Sequence, residues 1–342
     1  MPEASGLLTL SIVVPVYNGE SYLADLVSQI AALKKRWEDA GVDLLVAEAI
    51  FVLDAPTDQS RSVLEASRGT HPWLRLVDLS RNFGQHSATV AGILYSSGDW
   101  VATLDEDLQH RPHHIETLLK RACTSEADVV YALPDGRVHG GGYRDRFSRL
   151  AKRVIALVSG NRFVLSFNSF RLIRGDIARA ASSICAQYTY FDVALTWFTQ
   201  RIVTVRLAMS DERYIRGKIS GYRLSTLLQH ARRLILTSDF RILRLTTFLS
   251  VTAFASCLLY GSWVLYSRFF AEHPIMVQGW TSLMLVILAF GGVSIFFLGL
   301  IAEFLHMSML QLQGKPTFFA VNRTTDSRLA TEIEKLDALC KS

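Results

Sequence analysis

Two long apolar segments in the C-terminal part of the chain constrain its fold more than any other feature. Residues 245–267 contain no charged residue, and neither do residues 274–302. Each run exceeds the roughly 20 residues that a helix needs to cross about 30 Å of hydrocarbon. A tandem of such runs, joined by a linker too short to be a domain, favours a membrane hairpin over buried soluble helices. We therefore predict transmembrane helices at about 245–267 and 276–302.

The positive charge of the chain is concentrated directly before the first apolar run. Residues 211–244 hold eight basic and three acidic residues, which accounts for the whole formal excess of +5. This placement predicts that residues 211–244 form basic juxtamembrane helices that contact anionic lipid at the membrane interface. It also argues against nucleic acid as a partner. Basic residues also follow the second run, so the positive-inside rule places residues 1–210 and the tail 307–342 in the cytoplasm. We expect a multi-pass protein of the cell's inner (plasma) membrane.

Residues from about 9 to 133 have an α/β pattern, within the cytoplasmic domain that we predict at 1–210. Strands are predicted at 9–16, 44–53, 74–79 and 100–104, and helices at 21–37, 58–67 and 87–96. Alternating strands and helices with short connections predict a mostly parallel sheet covered on both faces. Ligands bind such sheets beyond the carboxyl ends of the strands, where we expect Tyr17, Asp54, Asn82 and Asp105 to converge.

The sharpest local motif is the sequence DEDLQ at residues 105–109. On an extended chain, Asp105, Asp107 and Gln109 would project to one face. Their oxygen atoms suit a hard divalent ion such as Mg²⁺ or Mn²⁺, which would neutralise charge on a departing diphosphate. The alternative is a solvated acidic turn, but the position at the end of a buried strand favours the metal site.

Other chemistries lack their motifs. The sequence has no Walker lysine loop, no GxGxxG after the first strand and no GxSxG elbow, so P-loop phosphoryl transfer, dinucleotide redox chemistry and serine nucleophiles lose support. His110, His113 and His114 have HxxHH spacing without a supporting carboxylate or thiolate. We interpret these histidines as a surface helix start rather than a zinc site.

Four segments resemble family 2 glycosyltransferases of the GT-A fold. They are VPVYNGE at 14–20, LSRNFGQHSATVAG at 79–92, GDWVATLDEDLQHRP at 98–112 and SFRLIRG at 169–175. More narrowly, they resemble the polyprenyl-phosphate glycosyltransferases, which include dolichyl-phosphate mannose synthases and undecaprenyl-phosphate sugar transferases. The stretch 279–304 is similar to the second membrane span of that subgroup. The resemblance implies a Rossmann-like GT-A domain, a nucleotide-sugar donor and a polyprenyl-phosphate acceptor.

The same resemblance implies roles for individual residues. Nucleotide-sugar binding is implied for Pro15, Tyr17, Glu20, Asp54, Asn82, Gln85, Asp105 and Glu106, and metal binding for Asp105, Asp107 and Gln109. Acceptor-phosphate binding is implied for Arg137 and Arg149, with Arg144 and Ser148 behind them, and for Arg213 or Arg216. Of these, Asp105, Asp107, Arg137 and Arg149 are the expected catalytic residues. Two extra residues in RYIRGKISGY at 213–222 leave the choice between Arg213 and Arg216 open.

One departure from the family pattern affects the donor. The usual DDGSTD at the second strand reads LDAPTD at 53–58, so that Leu53 replaces the first carboxylate. Asp54 remains available for base or ribose contact. UDP is the favoured nucleotide, and neither the nucleotide nor the sugar is settled by the sequence.

The reaction that we predict is inverting sugar transfer to polyprenyl (undecaprenyl) phosphate at the cytoplasmic face, in lipopolysaccharide or other cell-envelope glycan synthesis. A lipid phosphate is already anionic, so the reaction needs metal on the donor and arginine on the acceptor but no general base. One alternative is transfer to a hydroxyl of a lipid-linked glycan, with Asp192 as the base that a hydroxyl requires. A second alternative is a non-catalytic membrane scaffold, prompted by the altered LDAPTD turn.

The second apolar run also predicts self-association. Gly291, Gly292 and Gly299 would let helices approach closely, and Glu303 lies near His306 at the end of the run. We expect a homo-oligomer, with a tetramer favoured. The alternative is a monomer whose glycines pack a single hairpin.

Overall fold

The computed structural model describes residues 6–134, 163, 166–185, 189–207, 252, 259, 262–263, 266, 279–312 and 316–321. Its strands are β1 Leu8–Val16, β2 Leu44–Leu53, β3 Leu74–Leu79, β4 Trp100–Thr103, β5 Val129–Pro134, β6 Arg171–Arg174, β7 Ile202–Leu207 and β8 Ala320–Val321. Its helices are α1 Glu20–Asp39, α2 Ser60–Arg68, α3 Gln85–Leu94, α4 Ile115–Thr124, α5 Gly175–Ser183, α6 Phe191–Phe198 and α7 Trp280–Leu312, with a 3-10 turn at Pro112–His114 before α4.

The strands form one eight-stranded sheet in the order β7-β5-β6-β4-β1-β2-β3-β8. Strand β1 lies at the centre and pairs in parallel with β2 and β4, and β2 pairs in parallel with β3. Strand β6 runs antiparallel to both β4 and β5, and β8 runs antiparallel to β3. Strands β5 and β7 pair in parallel, so six of the eight described strands run in one direction and β6 and β8 run in the other. The prediction of a mostly parallel sheet is therefore confirmed, and the sheet is mixed through these two antiparallel strands. Short βα connections force parallel pairing, whereas the long connection before β6 does not.

The apolar runs of the sequence account for the central strands and the helices that cover them. In β1, Ile12, Val13 and Val14 are fully buried, as expected for a strand with both faces covered. Helix α1 buries residues at helical spacing, including Leu23, Leu26 and Ile30. The predicted strands are confirmed to within one residue, and each predicted helix is confirmed to within about two residues at either end.

A segment that follows the long helix α7 completes the sheet. Val321 and Ala320 pair with Asp78 and Leu79 of β3, and the backbone N–H of Ser80 donates to the carbonyl of Phe319 at 2.9 Å. The Phe318 side chain packs against the apolar clusters beneath α3 and between α3 and α5. The sheet of the N-terminal domain thus includes residues well beyond position 210.

Helix α7 covers most of the second apolar run. Within the part of the chain that the structure describes, no helix is both long and apolar enough to cross a membrane. The transmembrane hairpin stays a prediction, as do the domain boundaries, and the basic segment 211–244 lies outside the described residues.

Candidate active site

A cavity of about 370 Å³ opens beyond the carboxyl ends of β1–β4. It is lined by Pro15, Val16, Tyr17, Asp54, Asn82, Gly84, Gln85, Asp105, Glu106, Asp107 and Gln109. The structure therefore brings together the four residues that we expected to converge from successive strand ends. Most of the residues for which the resemblance implies a donor or metal role lie here, Glu20 being the exception.

The DEDLQ motif lies in a turn. Strand β4 ends at Thr103, and Leu108 has a φ of +59°, a left-handed conformation that is unusual for a bulky side chain. The extended-chain argument for a shared face is therefore wrong. The turn nevertheless directs Asp105, Asp107 and Gln109 to the same cavity, and the Gln109 N–H donates to Asp107 Oδ1 at 3.2 Å.

The donor set of this turn fits a hard divalent cation. Among the described residues, no group of three His, Cys, Asp or Glu side chains is close enough to hold a metal ion by itself. Two carboxylates and the Gln109 amide supply three oxygen donors, and Mg²⁺ commonly combines one or two carboxylates with substrate phosphates.

Asp105 is held from two sides. Gln85 Nε2 donates to its Oδ1 at 2.6 Å, and Ser169 Oγ donates to its Oδ2 at 2.6 Å. Ser169 lies immediately before Phe170 and β6, far from Asp105 in the chain. No local sequence signal links Ser169 to the motif, because only the antiparallel pairing of β6 with β4 brings the two together.

His110 contradicts the interpretation of the histidines as a surface feature. Its side chain is buried, and its ring stacks on Phe170 with centroids 5.0 Å apart. Burial lowers the pKa of His110. The negative charges of Asp105 and Asp107 act to raise it, but burial has the larger effect. The expected helix start is confirmed for Pro112–His114, where His113 is exposed.

Glu106 and Glu20 organise the backbone around the cavity. Glu106 accepts the N–H groups of Tyr17 at 3.0 Å and Asn18 at 3.3 Å, which holds the turn after β1. Glu20 lies outside the cavity lining and accepts the Gln59 N–H at 2.8 Å, joining the starts of α1 and α2. The nucleotide-binding roles of both residues stay predictions.

Asp192 lies in a buried ionic network. Its carboxylate forms an ion pair with Arg171, and Tyr131 donates its hydroxyl to Asp192 Oδ1 at 2.7 Å. Burial, followed by the charge of Asp192, raises the pKa of Tyr131 well above its ordinary value. Burial has the largest single effect on the pKa of Arg171 and acts to lower it, but the charges of Asp192 and Tyr131 and the hydrogen bond to Asp192 together outweigh burial, so the pKa is raised. Asp192 is therefore an acceptor for buried donors.

The predicted acceptor-phosphate residues lie outside the described residues. These are Arg137, Arg144, Ser148, Arg149, Arg213 and Arg216.

The sequence and the fold were compared with known proteins. The family model "Glycosyl transferase family 2" matches residues 11–193. The chain is 26% identical over 329 residues to the undecaprenyl-phosphate 4-deoxy-4-formamido-L-arabinose transferase of Sodalis glossinidius, covering 95% of this chain and 97% of the relative. It is 28% identical over 332 residues to the transferase of the same name from Pseudomonas aeruginosa strain UCBPP-PA14, covering 96% of this chain and 94% of the relative.

Among solved structures, the chain is similar to glucosyl-3-phosphoglycerate synthase from Mycobacterium tuberculosis in complex with Mn²⁺, UDP-glucose and phosphoglyceric acid. The TM-score is 0.49 and the identity 22%, over 67% of this chain and 78% of that chain.

Proposed function

The chain belongs to glycosyl transferase family 2, and on that premise we propose that it transfers a sugar from a nucleotide-diphosphate sugar to polyprenyl phosphate. The observation that carries the proposal is the cavity beyond β1–β4, in which Asp105, Asp107 and Gln109 meet residues from three other strand ends. Support for the acceptor comes from relatives named undecaprenyl-phosphate sugar transferases, which match this chain over nearly their whole length. Family membership and the retained carboxylates argue against a non-catalytic scaffold.

In the donor site, Asp105, Asp107 and Gln109 would hold Mg²⁺ or Mn²⁺. Such an ion, when bound, neutralises charge on the diphosphate leaving group. Pro15, Tyr17 and Asn82 line the rest of the cavity and would contact the nucleotide, with UDP favoured. These side chains hold the donor so that carbon C1 of the sugar is open to attack from the side opposite the diphosphate.

The acceptor chemistry needs no base if the nucleophile is a phosphate. A phosphate oxygen forms the new bond to C1 while the bond from C1 to the diphosphate oxygen breaks, and the anomeric centre inverts. The acceptor phosphate would be held by Arg137 and Arg149, since guanidinium groups bind phosphate in a bidentate manner. Further contacts would come from Arg144, Ser148 and either Arg213 or Arg216. Attack by a hydroxyl would require a base, and the carboxylate of Asp192 is already engaged by Arg171 and Tyr131. That engagement supports the phosphate acceptor.

We also propose that the protein is attached to the inner membrane with its catalytic domain on the cytoplasmic side. The two uncharged runs and the basic segment 211–244 support this placement. Large apolar side chains along α7 are exposed in the chain by itself: Leu283, Val286, Ile287, Phe290, Val293, Leu298, Ile301, Leu305 and Met309. Such a helix requires lipid or another apolar surface around it.

Labelled nucleotide sugars and pure undecaprenyl phosphate test the proposed reaction. We expect label transfer to the lipid with Mn²⁺ or Mg²⁺, and its loss in EDTA. Asp107→Asn should reduce turnover by about 10²–10³-fold, because it removes charge stabilisation of the leaving group. Asp25→Asn, an exposed aspartate of α1, is the matched control and should have no effect. Transfer only to a hydroxyl-bearing lipid-linked glycan would refute the proposed acceptor.

The homo-oligomer, with a tetramer favoured, is a separate proposal. Mass measurement of the protein in nanodiscs tests it. An active particle that contains one 38.3 kDa chain would exclude it.

A further inference from the structure

The two carboxylate oxygens of Asp105 have different neighbours. Oδ1 accepts a hydrogen bond from Gln85, an exposed side chain that also lines the cavity. Oδ2 accepts from Ser169, which is outside the cavity lining and is half-buried between β4 and β6. One oxygen of Asp105 is thus hydrogen-bonded to a residue of the cavity lining and the other to a residue outside that lining.

Ser169 is itself firmly held. Thr103, buried at the end of β4, donates its hydroxyl to the Ser169 carbonyl at 2.5 Å. The Ser169 N–H donates to Asn168 Oδ1 at 2.8 Å, and Asn168 Nδ2 donates to the carbonyl of Ala132 in β5 at 2.5 Å. Strands β4 and β5 therefore fix the backbone from which the Ser169 hydroxyl reaches Asp105.

In the tautomer that carries its proton on Nδ1, His110 presents a second donor to the same oxygen. Its Nδ1 lies 3.6 Å from Asp105 Oδ2, just beyond hydrogen-bond distance, and is buried with no hydrogen-bond partner among the described residues. Its side chain is only 4% exposed and is held by the stack on Phe170, the residue after Ser169. A buried nitrogen without a partner is costly, so a small movement of Asp105 that closes this gap would be favourable.

We propose that Ser169 and His110 are positioning residues that hold Oδ2 of Asp105 and thereby present Oδ1 to the divalent cation. This inference rests on the metal role assigned to Asp105 in the proposed function. Partners of a metal-binding carboxylate orient it, and their loss typically weakens metal binding by about 10–100-fold. Neither residue touches the donor in this arrangement, so both act through Asp105.

Matched variants separate positioning from packing. Ser169→Ala removes the hydroxyl, and Ser169→Thr keeps one. His110→Phe keeps a ring for the stack on Phe170 but removes the nitrogen, whereas His110→Asn keeps an N–H donor near the position of Nδ1. Each is made in the full-length protein, and folding is checked by thermal unfolding.

The measurement is a titration of Mn²⁺ binding in the presence of UDP. The electron paramagnetic resonance signal of free Mn²⁺ reports how much of the ion remains unbound. Ser169→Ala and His110→Phe should weaken Mn²⁺ binding by about tenfold, the lower end of the range for such partners. Ser169→Thr and His110→Asn should restore most of it, and UDP binding measured without metal should be unchanged in all four variants.

Asp105→Asn and Asp107→Asn distinguish failure of this inference from failure of the proposed metal site. If both weaken Mn²⁺ binding while Ser169→Ala and His110→Phe bind as the wild type does, the positioning role is refuted and the metal site stands. An equal loss of metal-free UDP binding in the Ser169 and His110 variants would also refute it, because that loss indicates general disruption. If neither aspartate variant weakens Mn²⁺ binding, the metal site fails and the inference fails with it.

Discussion

The carboxylate of Asp54 at the end of β2 accepts the backbone N–H of Gly84 at 2.8 Å, and its other oxygen accepts that of Phe83 at 2.7 Å. Gly84 has a φ of +90°, a conformation that favours glycine, and it directly precedes α3. Burial raises the pKa of Asp54, while these two hydrogen bonds and Arg81 act in the opposite direction. Asp54 thus shapes the turn that carries Asn82 and Gln85 into the cavity.

Asp54→Ala should weaken UDP binding and lower stability together. The substitution leaves two backbone N–H groups without their acceptor, at a cost of about 1–3 kcal/mol for each that stays buried. Asp54→Asn retains one acceptor oxygen, so its UDP affinity and stability should lie between those of the wild type and those of Asp54→Ala. Calorimetry with UDP and thermal unfolding provide the measurements, with Asp25→Asn as control. Wild-type UDP affinity in Asp54→Ala would show that the turn does not depend on this carboxylate.

Asp192→Asn should reduce stability more than it reduces turnover per folded molecule. The substitution leaves the Arg171 charge buried without its counterion, and breaking such a pair costs about 3–5 kcal/mol. Denaturant unfolding and transfer to undecaprenyl phosphate, normalised to folded protein, give the two quantities. A loss of turnover of several orders of magnitude in well-folded Asp192→Asn protein would instead favour Asp192 as a base and a hydroxyl acceptor.

Glu48 should make stability depend on pH in the acid range. Burial acts to raise its pKa, but hydrogen bonds from Arg75, Ser97 and Ser11 outweigh it and lower the pKa. A lowered pKa stabilises the fold above the unfolded value of about 4.3, and this contribution disappears as the pH falls through the lower folded value. Glu48→Gln should therefore be less stable at neutral pH and lose less stability on acidification. Denaturant unfolding from neutral to acid pH measures the stability of the wild type and of Glu48→Gln at each pH. Equal losses of stability in the two proteins on acidification would contradict the prediction.

Phe318→Ala should loosen the edge of the sheet beside the cavity. Phe318 is half-buried against two apolar clusters, so its truncation should cost about 1–2 kcal/mol of stability. Because Ser80 donates its N–H to the neighbouring Phe319 carbonyl, hydrogen exchange at the Ser80 amide should become faster. Phe319→Ala is the matched control, since that side chain is 61% exposed and its removal leaves the backbone acceptor in place. Equal exchange rates in both variants would mean that Phe318 does not anchor the segment.

Much of the candidate site could be predicted from the sequence, because the cavity is lined by residues that follow strands with a clear local pattern. Alternating apolar strands and amphipathic helices with short connections predict β1–β4 and their parallel pairing. Parallel strands bring their carboxyl ends to one edge, so Tyr17, Asp54, Asn82 and Asp105 had to meet. The DEDLQ motif predicts a metal site at this edge, although the geometry inferred for the motif was wrong.

Tertiary structure decided which distant segments support that site. A two-residue strand such as β8 has too little pattern to be detected, and it pairs with β3 beside the apolar clusters on which Phe318 packs. The contact of Ser169 with Asp105 requires the antiparallel entry of β6, which no local signal specifies. Likewise the ring of His110 is buried and stacks on Phe170 of a distant segment, and Asp192 is paired because Arg171 and Tyr131 lie on neighbouring strands. Local sequence determines which face of an element is apolar, but the choice of partner is made by packing between elements that are far apart in the chain.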